Sequence, residues 1–327
     1  MESLVYANSV RAIQITEFGG PEVLTPTEVP EPVPGPGQVL ITVSRAGVNY
    51  ADTHNADNSY LAPSSLPMIP GGEVVGTTPD GRRVVALLTH AGGYAEKVVA
   101  PEALVFDLPS EVDDVTALGL IVQGTTAWIL LHDRTHLAAG ESVVVHAAAG
   151  GVGSLAVQLA RAAGAGRIIA AASTPEKREL ALSLGADVAI DPAVPELAAV
   201  LKEANGGKGI DVVLEMTGGT VTDQSIAALA PLGRLAFFGM ASRTEPSKVD
   251  PRNLLSHSST ITGFWLPHAF TRPGMMRNAL EGLFTAVRAG TLQVINGGDY
   301  PLSEAHRAHE DLLARRTVGK LMLDPSR

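Results

Sequence analysis

The sequence predicts an α/β protein that combines a doubly wound parallel sheet of six strands with a second, β-rich domain. Three observations support this fold class. Short apolar strands alternate with helices from residue 142 onward, a glycine-rich turn joins the first of these strands to its helix, and irregular strands with proline-rich loops occupy the region before residue 112. The length of 327 residues also suggests two domains.

The region before residue 112 contains short strands separated by turns. Alternating residues predict strands at 11–16 and 38–44, and the stretch from Pro30 to Gly37 between them is too rich in proline for anything but a surface loop. Further strands are predicted here at 73–76, 83–88 and 94–99. After about residue 112 the pattern changes, and helices are predicted at 115–120 and 126–131.

The region after residue 142 alternates regularly, with short glycine-containing joints, which is typical of a parallel doubly wound sheet. The predicted strands are 142–146, 167–171, 187–190, 211–214, 234–238 and 259–263, and the helices between them are 152–163, 176–184, 195–204 and 222–230. We expect the rest to rejoin the β-rich domain as a helix at 277–289, a strand near Gln293, a helix at 303–314 and a strand at 319–323.

The turn after the strand at 142–146 is the most informative motif. Gly150 would let the backbone approach a pyrophosphate, and Gly153 would let helix and strand pack closely. The helix N-terminus would offer N–H groups to the phosphates. Ala148 stands where the usual first glycine would be, and a tight turn without a ligand is the alternative. The strand, the helix and a further strand at the βαβ distance favour a dinucleotide site at Ala149, Gly150, Gly151, Val152 and Gly153.

The end of the second strand predicts which dinucleotide binds. An NAD-preferring site places an acidic residue about 20 positions after the glycines. Here Ser173 and Thr174 follow the strand, and Lys177 and Arg178 follow in the next helix. Because a 2′-phosphate needs donors and positive charge, Ser173, Thr174 and Lys177 predict NADPH rather than NADH. An N-cap and a solvated helix face are the alternative.

Two later strand ends are expected to border the nicotinamide half of the cofactor. Ligands in such sheets lie beyond the carboxyl ends of the strands. Thr217 follows the strand at 211–214, and Phe238 and Gly239 end the strand at 234–238. Ordinary strand-end turns explain these residues equally well.

Composition excludes several classes of protein. The net charge of -10 argues against a nucleic-acid partner, because no basic stripe displaces counterions. The absence of cysteine excludes disulfides and cysteine-based zinc sites. The first residues lack a signal-peptide pattern, and polar residues interrupt the most apolar stretch, at 142–172. We therefore expect a cytoplasmic protein that does not associate with membranes.

Further motifs complete a family pattern from about residue 11 onward. They are the segments 47–52, 70–76, 93–96, 123–127, 146–153 and 305–310, followed by Arg315, Gly319 and Lys320. With them the chain resembles the zinc-free quinone oxidoreductases related to ζ-crystallin, within the medium-chain dehydrogenase/reductase superfamily. The resemblance implies a GroES-like catalytic domain at 1–127 and 268–327 and a Rossmann NADPH-binding domain at 128–267.

The resemblance also implies roles for individual residues. Asn49 and Thr126 would lie by the nicotinamide, and Arg315 would lie near the cofactor. Tyr60 keeps the spacing at which related enoyl-thioester reductases carry their proposed proton donor, although a lid residue is the alternative. No metal site is expected, since Asn49 and Gly72 stand where zinc-dependent relatives have ligands.

We therefore expect a zinc-independent oxidoreductase that transfers hydride from NADPH to a quinone or to the C=C bond of an α,β-unsaturated carbonyl compound. An enoyl-thioester reductase of a biosynthetic pathway and a non-catalytic NADPH-binding protein are the alternatives. Its partner would be the small-molecule substrate. A homodimer is expected by resemblance, with the strand at 259–264 as a suitable edge.

Overall fold

The computed structural model describes residues 8–59, 61–89 and 91–327. It divides into two compact units, the first formed by residues 1–122 with 294–327 and the second by residues 123–293. The second boundary falls later than the predicted residue 268. The reason is local packing, because the helix Met275–Arg288 lies so close to Trp128 that a Cβ on Gly282 would be 2.3 Å from the indole.

The elements are numbered in chain order. The strands are β1 (Ser9–Gln14), β2 (Thr25–Pro30), β3 (Gln38–Val48), β4 (Glu73–Thr77), β5 (Arg83–Leu87), β6 (Lys97–Pro101), β7 (Val105–Asp107), β8 (Ser142–His146), β9 (Arg167–Ala171), β10 (Val188–Ile190), β11 (Ile210–Glu215), β12 (Leu229–Phe237), β13 (Thr260–Gly263), β14 (Asn296–Pro301) and β15 (Lys320–Asp324). The helices are α1 (Tyr50–Ala56), α2 (Asp114–Arg134), α3 (Gly151–Ala162), α4 (Pro175–Ser183), α5 (Leu197–Ala204), α6 (Gly219–Ala227), α7 (Pro251–His257), α8 (Pro267–Phe270), α9 (Met275–Arg288) and α10 (Ala305–Leu313).

The second unit contains the predicted six-stranded sheet. Its strands pair in the order β10-β9-β8-β11-β12-β13, and every pairing is parallel. Strand β8 is buried along its whole length, as expected for a strand covered on both faces. The strand order reverses between β8 and β11, which makes the carboxyl ends of these strands the switch point where such sheets bind ligands.

The strands of the first unit pair in antiparallel fashion, apart from the parallel pair β14–β15. In its described part, β14-β15-β3-β4-β5-β7 form one sheet, with β6 also paired to β3, and β1 and β2 form a separate ribbon. Strand β2, which the sequence analysis missed, contains Pro26 and Pro30. It pairs with β1 alone, so the missing proline N–H groups interrupt no central ladder. Ile13, Ile41 and Val74 are fully buried in the core of this unit.

Several segments differ from the predicted elements. Strand β12 begins at Leu229, inside the range 222–230 that was predicted as a helix, and β7, α7 and α8 were not predicted. The strand expected near Gln293 begins instead at Asn296, where it pairs in parallel with β15. Helix α1 was not predicted, because its seven residues are too few to show a helical period. Its start is marked by a local contact, in which the backbone N–H of Asn49 donates to Asp52 Oδ2 at 2.8 Å.

Helix α2 is the one helix in the described residues that is long and apolar enough to cross a membrane. However, 72% of its most apolar window is buried inside the protein, which is the pattern of a core helix. Its π-helical turns at Gly119–Gly124 and Leu130–Arg134 interrupt the regular α-helical ladder.

Candidate functional site

The glycine turn of the second unit joins β8 to α3. Ala147 adopts φ +49°, and the Gly150 N–H donates to the Ala147 carbonyl at 2.8 Å. A Cβ on Gly153 would lie 2.3 Å from the same carbonyl oxygen. Because that neighbour is backbone and cannot move aside, close packing of helix on strand requires glycine at position 153.

Gly150 has a different environment. Its φ of -79° is accessible to any residue, and an added Cβ would meet only the Ala147 oxygen, at 3.2 Å. Packing therefore leaves more space for a side chain at position 150 than at position 153. As the N-cap of α3, Gly150 also provides no side chain to cover the first N–H groups of the helix. The missing side chain leaves space where a phosphate would approach these N–H groups.

The residues after β9 show which side chains are already engaged. Thr174 is the N-cap of α4, and its Oγ1 accepts from the Lys177 backbone N–H at 3.3 Å. Arg178 donates to the Ala172 carbonyl at 2.9 Å and pairs with Asp191 at 3.5 Å. Ser173 is exposed and Lys177 is half-buried. Thr174 therefore has the capping role, and a cap leaves its hydroxyl able to contact a phosphate as well.

A buried carboxylate fixes the turn after β11. Glu215 is fully buried and accepts from the Thr217 N–H at 2.5 Å and from the Thr222 hydroxyl at 2.5 Å. The Gly218 N–H adds a longer contact at 3.3 Å, and the φ of +88° at Gly218 favours glycine there. Sequence reasoning assigned no role to Glu215, although a lone acid at the end of an apolar strand was a visible signal.

The two predicted strand ends pack against each other. The Phe238 N–H donates to the Glu215 carbonyl at 3.0 Å, and a Cβ on Gly239 would lie 3.1 Å from Met216 Cβ. The structure thus brings together Thr217, Phe238 and Gly239 beyond the carboxyl ends of β11 and β12. The glycine turn follows the neighbouring strand β8 on the same edge of the parallel sheet.

In the first unit, Asn49 lies between β3 and α1 and is held at both ends of its amide. Its Nδ2 donates to Glu73 Oε1 at 2.7 Å, and Lys320 Nζ donates to its Oδ1 at 3.3 Å. The Lys320 ammonium also contacts Glu73 Oε1 directly. Both the Glu73 and the Lys320 side chain are 0% exposed, so this ion pair is completely removed from solvent.

A second group of polar side chains adjoins Asn49. Asp52 Oδ2 accepts from the Asn49 backbone N–H and, at 3.2 Å, from the Tyr94 hydroxyl. The same hydroxyl lies 3.0 Å from His309 Nε2. Burial raises the pKa of Asp52 to about 7 and lowers the pKa of His309 to about 4. Burial also raises the pKa of Tyr94 well above 10, so this phenol stays protonated.

The family motifs of the sequence include five residues for which no function was predicted, namely Asp52, Glu73, Tyr94, His309 and Lys320. The available signal was a charge beside an apolar strand, as in Glu73 before Val74 and Lys320 before Leu321. The pattern did not show which charges meet, because Glu73 and Lys320 are separated by 247 positions.

The other predicted site residues are distributed as follows. Thr126 is buried on α2 in the second unit. Arg315 follows α10 in the first unit, with φ +56° and an exposed side chain. Tyr60 lies outside the described residues.

The donor set around Asn49 does not fit a zinc ion. The chain has no cysteine, and within 8–59, 61–89 and 91–327 no three His, Asp or Glu side chains are grouped as metal ligands. The Lys320 ammonium beside Asn49 places a positive charge where a cation would need negative ligands.

Comparison with known proteins extends over almost the whole chain. Residues 35–110 match the family model described as alcohol dehydrogenase GroES-like domain, and residues 151–284 match the one described as zinc-binding dehydrogenase. The chain is 34% identical to a 2-haloacrylate reductase from a Burkholderia species, over 97% of this chain and 99% of that protein. It is also 34% identical to a quinone oxidoreductase from Lama guanicoe, over 96% of this chain and 97% of that protein.

The similarity to a solved structure also extends over almost the whole chain. A mycobacterial protein, complexed with NADPH, has a TM-score of 0.90 and 38% identity, covering 97% of this chain and 100% of that chain. A GroES-like unit together with a Rossmann sheet of six parallel strands is the architecture of the medium-chain dehydrogenases/reductases, and the predicted fold class is confirmed. The chain belongs to the quinone oxidoreductase family of this superfamily.

Proposed function

We propose that this protein is a zinc-independent, NADPH-dependent reductase that transfers hydride to a quinone or to the C=C bond of an α,β-unsaturated carbonyl compound. The observation that carries the proposal is the arrangement of the Rossmann edge. Gly150, Ser173, Thr217 and Gly239 follow four neighbouring strands at their carboxyl ends. The mycobacterial relative complexed with NADPH supports the choice of cofactor.

The residues of the second unit fit the parts of NADPH. The uncovered N-terminus of α3 at Gly150 would hold the pyrophosphate. Ser173, Thr174 and Lys177 offer two hydroxyls and an ammonium group to the 2′-phosphate. Ala149, Gly151 and Val152 would add backbone contacts, and Arg315 is a further candidate by resemblance.

When bound, NADPH supplies the hydride. The chain's own task is to stabilise negative charge on the substrate oxygen. The Asn49 amide is a donor held in place by its two buried neighbours, and Thr126 and Tyr60 are further candidates by resemblance. A tyrosine hydroxyl has a usual pKa of about 10, so Tyr60 would be protonated at neutral pH and able to donate.

The deciding experiment is steady-state oxidation of NADPH and of NADH against a panel of quinones, enones and enoyl thioesters. We expect a higher kcat/KM for NADPH and turnover with quinones or enones. Turnover confined to enoyl thioesters would favour the biosynthetic alternative, and tight NADPH binding without turnover would indicate a non-catalytic protein. Tyr60→Phe, expected to lower enone turnover with unchanged NADPH affinity, tests the role of that hydroxyl.

The names of the relatives leave two substrate branches. A relative named for 2-haloacrylate, an α,β-unsaturated acid, favours the alkene branch, whereas one named quinone oxidoreductase favours the quinone branch.

We further propose a cytoplasmic homodimer. Strand β13 ends the six-stranded sheet and so presents an unpaired edge within the described residues. Sedimentation velocity tests the dimer.

A further inference from the structure

The Glu73–Lys320 ion pair is an expensive arrangement for a protein core. Both side chains are 0% exposed, and Glu73 Oε2 has no hydrogen-bond partner in the described part of the chain. Removing two charges from water costs several kcal/mol per ion, about as much as the pair regains, so an apolar pair is often equally stable or more so. Stability alone therefore gives a weak reason for this pair.

The contacts of the pair converge on one neighbour. Glu73 Oε1 accepts from Asn49 Nδ2 at 2.7 Å and also from Lys320. The ammonium of Lys320 in turn donates to Asn49 Oδ1 at 3.3 Å and to the Val48 carbonyl at 3.4 Å. The negative charge thus faces the NH₂ end of the amide, and the positive charge faces its oxygen.

This polarity determines the orientation of the amide. A rotation of 180° about Cβ–Cγ would place the NH₂ group of Asn49 against the ammonium and its oxygen against the carboxylate. Both contacts would then be repulsive, and in a buried site neither is screened by water. Either charge alone disfavours the rotated form, and the two together leave one orientation.

We propose that Glu73 and Lys320 are positioning residues, which lock the Asn49 amide so that it meets the substrate oxygen as a donor. This inference rests on the proposed function, in which Asn49 stabilises charge on that oxygen. Neither residue needs to touch substrate or cofactor. Their effect on turnover would pass entirely through Asn49.

The test is a cycle of variants in which the two charges are removed together. Glu73→Gln with Lys320→Met deletes both charges and the donor to Asn49 Oδ1, and Glu73→Leu with Lys320→Met is a second, apolar version. Each pair is made in the wild-type and in the Asn49→Ala background. We expect kcat to fall about tenfold with Asn49 present, with the KM for NADPH unchanged, and to fall no further once Asn49 is alanine.

Three results would overturn the proposal. They are an equal loss of kcat in both backgrounds, unchanged kcat in the paired variants, and unchanged kcat in Asn49→Ala alone. If wild-type protein oxidises no NADPH with any acceptor, the proposed function fails and the cycle gives no information on positioning.

A second readout is therefore taken on the protein without cofactor. The Asn49 side-chain amide is assigned by NMR from its loss in Asn49→Ala. Its protons should show slow exchange and a shift displaced from those of exposed asparagines, and both signatures should disappear in the paired variants that remain folded. An Asn49 signal that is identical with and without the pair would overturn the positioning role, whether or not the enzyme turns over.

Discussion

The hydroxyl of Tyr94 lies 3.0 Å from Nε2 of His309 in the core of the first unit. The phenol has one proton, which it donates to Asp52 Oδ2. His309 Nε2 must therefore be the donor to the Tyr94 oxygen, which leaves Nδ1 as an acceptor without a partner among the described residues. A chain of hydrogen bonds thus runs from α10 through Tyr94 to Asp52 on α1.

Tyr94→Phe is expected to destabilise the protein by about 1–3 kcal/mol, because it removes a buried hydroxyl, leaves His309 Nε2 without its partner and takes one of the two donors from Asp52 Oδ2. Urea unfolding measures the change. Tyr300→Phe is the matched control, since the Tyr300 hydroxyl donates to Asp311 at 2.8 Å in a half-buried setting where water can replace it. A loss for Tyr94→Phe no larger than for Tyr300→Phe would contradict a structural role for the chain of hydrogen bonds.

The raised pKa of Asp52 predicts a dependence of stability on pH. The groups that face its carboxyl are the Asn49 backbone N–H, Tyr94, Glu73, Lys320 and, through Tyr94, His309. With a pKa of about 7 folded and 3.8 unfolded, Asp52 holds its proton longer in the folded state. Its stabilising contribution is complete below the unfolded pKa, decreases as pH rises toward the folded pKa, and is lost above it.

Asp52→Asn removes this titration and keeps an oxygen acceptor for the helix start. The free energy of unfolding of Asp52→Asn minus that of wild type should therefore increase between about pH 4 and 7 and stay level above that range. His309 contributes the opposite slope between its folded and unfolded pKa values, but it is present in both proteins and cancels. A difference that is flat from pH 4 to 8 would show that Asp52 titrates normally.

The two glycines of the turn are expected to respond differently to alanine. Gly153→Ala should lower the free energy of unfolding by about 1–3 kcal/mol, because its Cβ would overlap a backbone carbonyl. Gly150→Ala should fold with nearly wild-type stability and bind NADPH more weakly, since its Cβ would occupy the approach to α3. Thermal unfolding and NADPH fluorescence titration measure both. Equal destabilisation of the two variants would contradict the view that Gly153 is required for packing and Gly150 for NADPH binding.

Lys177→Ala should weaken NADPH binding about tenfold while leaving NADH binding unchanged, because only NADPH carries the 2′-phosphate that the ammonium would contact. Lys202→Ala, on α5 of the same unit, makes the same change in net charge and serves as the control. Calorimetric titration measures the Kd of each variant for NADPH and for NADH. A similar fall in affinity for NADH and NADPH would show that Lys177 does not act through the 2′-phosphate.

Glu215→Gln is expected to loosen the turn from Thr217 to Gly218, because an amide offers weaker acceptors than a carboxylate to the two N–H groups and the Thr222 hydroxyl. NADPH affinity should fall together with stability. Thr222→Val, which removes one of the three donors, should produce a smaller effect in the same direction. Unchanged cofactor affinity in both variants would separate the turn from the nucleotide site.

The sequence predicted the Rossmann sheet best, because most of its strands have an apolar centre and alternate regularly with helices. Strands β8 and β9 begin and end at the predicted residues. The first unit was harder, since its pairings join distant segments and its short elements show no period. Helix α1 depends on one local contact between Asn49 and Asp52, and β14 lies after a loop rather than at Gln293.

The same contrast holds for the candidate site. Gly150, Ser173 and Thr217 were predicted as site residues from their place after a strand, and in the structure each follows the carboxyl end of a parallel strand. Glu73 and Lys320 were not assigned a role, because a buried ion pair is a property of tertiary packing and each partner alone resembles an ordinary surface charge.

Strand β15 occupies an interior place in the first sheet, between β14 and β3, and its Lys320 is the counter-ion of Glu73. All of residues 123–293 are synthesised between these two partners. On the ribosome the second unit is therefore fully synthesised before β15 is available to join the first sheet. Until then Glu73 has no Lys320 to pair with. Assembly of this chain should begin in its middle, with the sheet that was translated first becoming native later.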